Sequence, residues 1–188
     1  KDSPFNIIDP KRIFPDYISW VIETLKIICK SNEKWVLRLH PTSKRWGENS
    51  MVWLESIFKL TNTRLNGSNI IVDSSKISNV TLLKHCKRIV TYSGNVHLEA
   101  ACHGVRPIII SQCTLSFLNI NLVIKPLSLK EYENQLLSDI DDKFILNKNG
   151  VYLARKILYL REEVLNFGKE LAGLTLYRSD GSKLLSDD

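Results

Sequence analysis

Several features that mark specialised proteins are missing from this sequence of 188 residues. Its eight glycines and six prolines are too few for a collagen-like or low-complexity chain. Its longest unbroken apolar runs, such as 108–110, are far shorter than the roughly 20 residues that span a membrane. The first residues also lack the apolar segment of a signal peptide. These absences favour an ordinary globular chain with one domain.

Metal-binding and disulfide patterns are missing as well. The four cysteines are far apart in the sequence: Cys29, Cys86, Cys102 and Cys113. They form no C-x-x-C pair and no close cluster with histidine, so we expect free thiols in a reducing cytosol. His97 and His103 are six residues apart in one predicted helix and do not share a face, so we expect no bound metal.

The charge balance indicates the kind of partner. Lysine and arginine outnumber aspartate and glutamate by 26 to 20, which gives a net charge of +6 and favours an anionic ligand. The basic residues are scattered and form no RNP-type or helix-turn-helix pattern, so we expect no nucleic acid partner. Gly-x-Gly-x-x-Gly and P-loop motifs are missing too, which removes the usual motifs of dinucleotide enzymes and ATPases.

Hydrophobic periodicity predicts strands and helices that alternate along the chain. The predicted strands are 35–39, 69–72, 88–92, 107–111 and 122–124. The predicted helices are 16–30, 48–60, 78–86, 95–103, 128–139 and 151–171, with Gly104 placed to end the fourth. This alternation implies βαβ units. We expect an α/β fold: a single Rossmann-like three-layer domain with a mainly parallel sheet over 1–172, then a polar flexible tail over 173–188.

Ligands of such sheets bind beyond the carboxyl ends of the strands, and three of these ends are polar here. After the first strand, His40-Pro41 is followed by Ser43 and Lys44, which we expect to bind phosphate. The same run can also be a simple turn in which Pro41 ends the strand. After the second strand, the polar segment 73–79 first of all suits helix capping, although it can also contact a base or a ribose.

The third polar end carries the most specific pattern. A strand leads into Ser93-Gly94, where glycine lets the main chain approach a ligand closely, and a helix begins near Asn95. Free N–H groups at a helix start attract anions. Glu99, one turn further on, can accept hydrogen bonds from both hydroxyls of a ribose. The alternative is a capped helix in which Glu99 forms a local salt bridge, and we favour the binding role.

The run from Ser93 to Pro107 reads Ser-Gly-(x)4-Glu-Ala-(x)3-Gly-(x)2-Pro. It resembles the donor-nucleotide element of GT-B glycosyltransferases. With His40-Pro41 upstream, it is most similar to bacterial capsule and lipopolysaccharide synthesis proteins, including Kdo transferases, and to GT-B sialyltransferases whose His-Pro motif contacts CMP. The resemblance covers roughly residues 35–111.

This resemblance implies roles for particular residues. Ser93, Gly94 and Asn95 would meet the donor phosphate, and Glu99 would hold the ribose. His40 would be catalytic, because an imidazole there can stabilise the departing nucleotide. If these groups carry the developing charge, neither a metal nor another cofactor is required.

The implied function is transfer of a sugar from a CMP-, UDP- or similar nucleotide-activated donor to a growing surface polysaccharide. The partners would be the nucleotide sugar, a glycan or glycolipid acceptor, and an N-terminal acceptor domain that these 188 residues have no room for. The chain lacks a starting Met, so we expect a fragment that is inactive alone. We expect a cytoplasmic protein, and peripheral contact with the inner membrane is compatible with this role.

Two alternatives remain open. UDP-GlcNAc 2-epimerases carry a similar run, with Asp before Ser-Gly and Gly after it, where this chain has Tyr92 and Asn95. An epimerase-like isomerase is therefore the second hypothesis. The third is a basic binding module that recognises a partner without chemistry, which would require clustered Lys and Arg beside exposed aromatic residues.

Overall fold

The structure, a computed structural model, describes residues 12–39, 50–61, 69–73, 77–111 and 121–164. It is a mixed fold of helices and short parallel strands, compatible with the predicted α/β class. In chain order the elements are α1 Tyr17–Ile28, β1 Trp35–Arg38, α2 Ser50–Leu60, β2 Ile70–Asp73, α3 Asn79–His85, β3 Val90–Thr91, α4 Val96–Cys102, β4 Ile108–Ile109, α5 Leu129–Leu137 and α6 Lys148–Tyr159. A 3₁₀ turn at Asp142–Phe144 precedes α6, and a π-helical segment at Leu160–Val164 follows it.

The named strands pair in parallel, as the sequence predicts. β1 runs beside β2, with Trp35 opposite Ile70 at the start of the ladder. β3 runs beside β4, and a single parallel bridge adds Ile124 next to Ile108. The described strands therefore form two two-stranded parallel sheets.

The ladders of β3 and β4 are shorter than the predicted strands 88–92 and 107–111. Pro107 has no N–H to donate, which limits the ladder at its amino end. The backbones nevertheless stay aligned further on, because Ser111 N donates to Tyr92 O at 2.9 Å. The predicted strand 122–124 is reduced to its bridge at Ile124.

Local capping explains where several helices begin. Ser78 Oγ accepts a hydrogen bond from Thr81 N at the start of α3, at 3.1 Å. Ser128 Oγ accepts one from Glu131 N at the start of α5, at 3.2 Å. Gly104 has φ +87°, which confirms it as the left-handed residue that ends α4. Helix α6 begins before the predicted residue 151, because Asn147 Oδ1 accepts from Gly150 N at 2.8 Å and caps it earlier. The predicted helix end at 171 and the tail over 173–188 lie outside the described residues.

Two apolar clusters enclose β4. Ile108 belongs to the larger cluster, which α1, α2 and α5 build, whereas Ile109 belongs to a second cluster between α4 and α6. β4 is thus covered on both faces. In the β1–β2 pair, Ile70 is buried in the larger cluster, while Val36 and Ile71 on the other face are about half exposed.

A closed ring of hydrogen bonds fixes α1 against α5. Trp20 Nε1 donates to the hydroxyl of Tyr132 at 2.9 Å, and that hydroxyl lies 2.7 Å from Thr24 Oγ1. Thr24 Oγ1 in turn donates to Trp20 O at 2.6 Å, so the Tyr132 hydroxyl donates to Thr24. Burial raises the pKa of Tyr132, which keeps this hydroxyl protonated.

Arg88 joins several elements at the edge where β1 and β3 begin. Its buried guanidinium donates to Glu33 at 2.9 Å, to the carbonyl of Leu136 at 2.6 Å and to the carbonyl of Ser138. The ring centroid of Phe144 lies 4.7 Å from its Cζ. Because Glu33 precedes β1 and Arg88 precedes β3, their contact brings the amino ends of these strands together.

Within the described ranges, no helix is long and apolar enough to cross a membrane.

Candidate functional site

The candidate site lies where β3 ends and α4 begins. Thr91 is the last residue of β3, and its Oγ1 accepts from Gly94 N at 3.3 Å, which turns the chain out of the strand. Ser93 is partly exposed, and Gly94 and Asn95 are exposed. The turn therefore presents its main chain to solvent at the carboxyl edge of the β3–β4 pair.

Position 94 favours glycine because there is little room for a side chain, and not because of its backbone conformation. Its φ is not left-handed, unlike that of Gly104. A Cβ atom at Gly94 would lie 3.3 Å from Thr91 Oγ1, which is closer than most such contacts, and within 4 Å it would meet no other atom of the described residues. A side chain here would press on the hydroxyl that shapes the turn.

Asn95 does not cap the helix that follows it. Its backbone is already helical, with φ −59° and ψ −18°, and its side chain makes no capping hydrogen bond. Among the described residues, the backbone amides of Asn95 and Val96 also have no acceptor. The alternative of a well-capped helix is therefore wrong for the start of α4, where the Asn95 side chain forms no cap. Helix α4 has only seven residues, so its dipole contributes little positive potential.

Glu99 lies one turn into α4, partly exposed, and its partner is an amide rather than a cation. Glu99 Oε2 accepts from Asn79 Nδ2, at the start of α3, at 3.1 Å. Within the described ranges Glu99 makes no ion pair, so the local salt bridge that was the alternative is not observed there. Asn79 orients one carboxylate oxygen and leaves the other for a ligand.

Asn79 was not singled out by sequence reasoning beyond its place in the polar segment 73–79. Glu99 is 20 residues further along the chain, and the packing of α3 on α4 brings the two side chains together. A Ser78 cap at the start of α3 was visible in the sequence. That cap predicts where α3 begins, but it does not predict which neighbour Asn79 meets.

His97 lies beneath the turn and is 1% exposed. Its Nδ1 is 2.6 Å from the carbonyl oxygen of Gly94, so Nδ1 carries the proton and donates. Burial lowers the pKa of His97, and the charge of Arg161 adds to this effect, whereas the Gly94 carbonyl and Glu99 oppose it. The neutral ring leaves Nε2 as a buried acceptor, without a partner in the described part of the chain.

A charged pair lies at the carboxyl ends of β1 and β2. Arg38 Nη1 donates to Asp73 Oδ2 and to the carbonyl of Ile77, and Asp73 is buried. These residues are opposite each other in the parallel register. Sequence reasoning missed this pair, because the signal for it is the strand register and not a local motif. Because the Arg38 guanidinium already donates to two acceptors, fewer of its N–H groups are available to a ligand.

Three predicted site residues, His40, Ser43 and Lys44, lie outside the described residues. Their roles remain predictions. Leu39 follows directly after β1 and is the last described residue before this segment, and its N donates to Asp73 O at 3.4 Å. His40 follows directly after this contact in the sequence.

The other candidate features lie elsewhere. A pocket of about 360 Å³ is lined by α1, α5 and Thr61, with Lys26–Glu23 and Lys30–Glu133 ion pairs beside it, away from Ser93 and Glu99. The acidic segment 139–141, which sequence analysis did not single out, lies close to Arg88 at the amino ends of β1 and β3. In the described part of the chain, no three His, Cys, Asp or Glu side chains converge as metal ligands.

Comparisons of this chain with protein-family models, with curated proteins and with solved structures find no significant match.

Proposed function

We propose that this chain is the donor-nucleotide-binding half of a GT-B glycosyltransferase that acts in bacterial surface polysaccharide synthesis. The donor is a nucleotide sugar with CMP, UDP or a similar carrier, and the acceptor is a glycan or glycolipid. A separate acceptor domain completes the active site in this proposal, so we expect the chain alone to bind nucleotide without transferring sugar. The proposed setting is the cytoplasm or the cytoplasmic face of the inner membrane.

The arrangement of strands supports a Rossmann-like three-layer domain. β1 pairs with β2, β3 pairs with β4, and the contact of Glu33 with Arg88 brings the starts of β1 and β3 together. The order inferred from these contacts is β2-β1-β3-β4, followed by the bridge at Ile124. In a doubly wound sheet of this order, the ligand crevice lies between the carboxyl ends of β1 and β3. His40 follows the first of these strands and Ser93 the second.

The observation that carries the proposal is the carboxylate of Glu99. It lies one turn after Ser93-Gly94, it is oriented by the Asn79 amide, and in the described ranges no cation neutralises it in an ion pair. A carboxylate that is fixed in this way can accept two hydrogen bonds from vicinal hydroxyls. A ribose held there would place its phosphate towards the open amides of Asn95 and Val96.

One structural feature disfavours the epimerase alternative. The position before Ser-Gly, where the epimerase run has Asp, is Tyr92. Tyr92 is buried, with its ring centroid 5.5 Å from the rings of Tyr17 and Trp20. An aromatic side chain in this apolar contact cannot replace a carboxylate.

The decisive test measures nucleotide binding to wild type and Glu99→Gln by calorimetry. Glutamine keeps the size of the side chain but removes the charge. We expect CMP or UDP to bind wild type and to lose about 1.5–3 kcal/mol with the variant, the usual worth of a hydrogen bond to a charged group. The 2′,3′-dideoxy nucleotide should bind wild type as weakly as the ribonucleotide binds the variant.

The matched control is Glu133→Gln, at an exposed position on α5. It should leave the affinity unchanged and alter stability by no more than the small amount that a surface ion pair contributes. If Glu99 contacts the ribose, the losses from the variant and from the dideoxy ligand do not add in a double-mutant cycle. Additive losses, or an altered melting temperature with unaltered affinity, would mean that Glu99 has only a structural role.

A further inference from the structure

Helix α6 packs antiparallel to α4 and ends near the candidate site. Gly104, after the end of α4, lies beside Val151 near the start of α6, at 3.7 Å from Val151 Cγ2 to the Cβ position of the glycine. Further along α6, Arg155 Nε donates to Cys102 O at 3.3 Å. Later residues of α6 therefore lie beside earlier residues of α4.

Extending this register by about two turns beyond Arg155 leads into the π-helical segment Leu160–Val164. The register of the two helices, continued in this way, places Arg161 at the level of the first turn of α4. His97 is in that turn, and the charge of Arg161 lowers the pKa of His97, which agrees with this placement. π-helical turns are frequent at functional sites, because they displace side chains from the regular helix path.

The guanidinium of Arg161 keeps donors available. Its side chain is 30% exposed, and its contact is the adjacent Glu162, with Nε 3.3 Å from Glu162 Oε1. A guanidinium has five N–H donors, and this contact occupies one of them. Within the described ranges, its two Nη groups make no hydrogen bond.

Lys44, the cation that the sequence predicts for phosphate binding, lies outside the described residues. A further cation among the described residues would stabilise a phosphate at this site. Its only charged side chain in the segment 91–99 is Glu99, which repels an anion. The dipole of the seven-residue α4 does not outweigh this charge, and Arg38 is held by Asp73. The buried, unpartnered Nε2 of His97 is a further polar atom at the same end of α4.

We propose that Arg161 binds the phosphate of the nucleotide at the Ser93–Asn95 turn, a role that rests on the function proposed above. Arg161 supplies charge and N–H donors to the phosphate, and the amides of Asn95 and Val96 supply further donors. The ligand in this proposal is a nucleoside mono- or diphosphate. Glu99 binds its ribose and Arg161 binds its phosphate.

The test compares nucleotides with their nucleosides in calorimetric titrations of the chain. We expect Arg161→Gln to weaken CMP or UDP binding by about 10- to 100-fold and to leave cytidine or uridine binding unchanged. Arg161→Lys should recover part of the affinity, since it restores the charge without the planar fork. Lys156→Gln, which removes a positive charge at an exposed position of the same helix, is the matched control and should leave the affinity for the nucleotide unchanged.

Melting temperatures are measured for each variant, so that a folding defect is recognised. Equal nucleotide affinity in wild type and Arg161→Gln overturns the role of Arg161 while the proposed function stands, provided that Glu99→Gln still weakens binding. An equal loss for nucleoside and nucleotide also overturns it, because a phosphate contact spares the nucleoside. A wild type that binds neither CMP nor UDP overturns both proposals.

Discussion

At the scale of single residues, His97 connects the turn of the candidate site to the packing beneath it. The Nδ1 proton holds the Gly94 carbonyl, which also accepts from His97 N at 3.3 Å. His97 thus holds the turn through two hydrogen bonds to the same carbonyl oxygen. The ring is buried and neutral. Its protonation is unfavourable because the new positive charge would be desolvated and would be repelled by Arg161.

This environment makes stability depend on pH. Because the folded pKa of His97 lies below the ordinary value of 6.5, the ring has no effect on stability at higher pH, where it is neutral in both states. As pH falls below 6.5, the unfolded ring takes up a proton first. The free energy of unfolding therefore decreases as pH falls towards the folded pKa.

We predict that His97→Asn removes this pH dependence. Asparagine can still donate to the Gly94 carbonyl but does not titrate. Urea unfolding between about pH 7.5 and pH 5 should show that the wild type loses stability more steeply than the variant as pH falls. The comparison uses the slope, because the smaller side chain also lowers stability by a constant amount. Parallel profiles would show that His97 is not a buried titrating group.

Sequence reasoning reached part of this site and missed the rest for a physical reason. Ser93, Gly94 and Glu99 are close in sequence, so a turn followed by one helical turn was enough to group them. Asn79 and Arg161 approach Glu99 and His97 through helix packing. Packing partners depend on the register of whole helices, which a local pattern does not contain.

At the scale of elements, α4 is a short helix whose two ends are fixed in different ways. Its first turn has no side-chain cap at Asn95, whereas its last turn ends at Gly104 in the left-handed conformation. Strand ends were harder to predict than helix ends. Ser78 and Ser128 act on their own helices, but a strand ladder depends on a partner strand elsewhere in the chain.

The structure makes a specific prediction for Gly104. A Cβ atom there would lie 3.7 Å from Val151 Cγ2, an ordinary contact, so the cost of a side chain comes from the backbone conformation. Gly104→Ala should lower the free energy of unfolding by roughly 1–2 kcal/mol in chemical denaturation. Gly104→Asn should lose less, because asparagine tolerates the left-handed region.

Nucleotide affinity serves as the second readout of this experiment. Gly104 lies at the end of α4 that is remote from Ser93, so both variants should keep the affinity of wild type. Equal stability of Gly104→Ala and wild type would mean that this backbone conformation is not required.

At the scale of the whole molecule, the two strand pairs share one apolar core. Ile70 of β2 and Ile108 of β4 belong to the same buried cluster, to which α1, α2 and α5 contribute. The sequence predicted alternating elements and parallel pairing. It did not predict that the pairs are joined at their amino edge by the side chain of Arg88, because that contact brings together four separate segments.

Arg88 should therefore determine the stability of the whole fold. Its side chain is 3% exposed, and it satisfies the carbonyls of Leu136 and Ser138 in addition to Glu33. Lysine keeps the charge, but its single nitrogen cannot occupy both Nη positions from which Arg88 donates, so a carbonyl acceptor stays buried without a donor. We predict that Arg88→Lys lowers the free energy of unfolding by about 2–4 kcal/mol, measured by urea denaturation.

Two further variants separate the charge pair from the carbonyl contacts. Glu33→Gln keeps a hydrogen-bond acceptor for the buried guanidinium and leaves both carbonyl contacts intact, so it should lower the free energy of unfolding by less than Arg88→Lys does. Arg155→Lys, at an exposed arginine on α6, controls for the exchange of residue type. All variants should unfold in a single transition, because one core spans both strand pairs. An Arg88→Lys protein as stable as wild type would refute the role of Arg88, and two separate transitions would show that the strand pairs unfold independently.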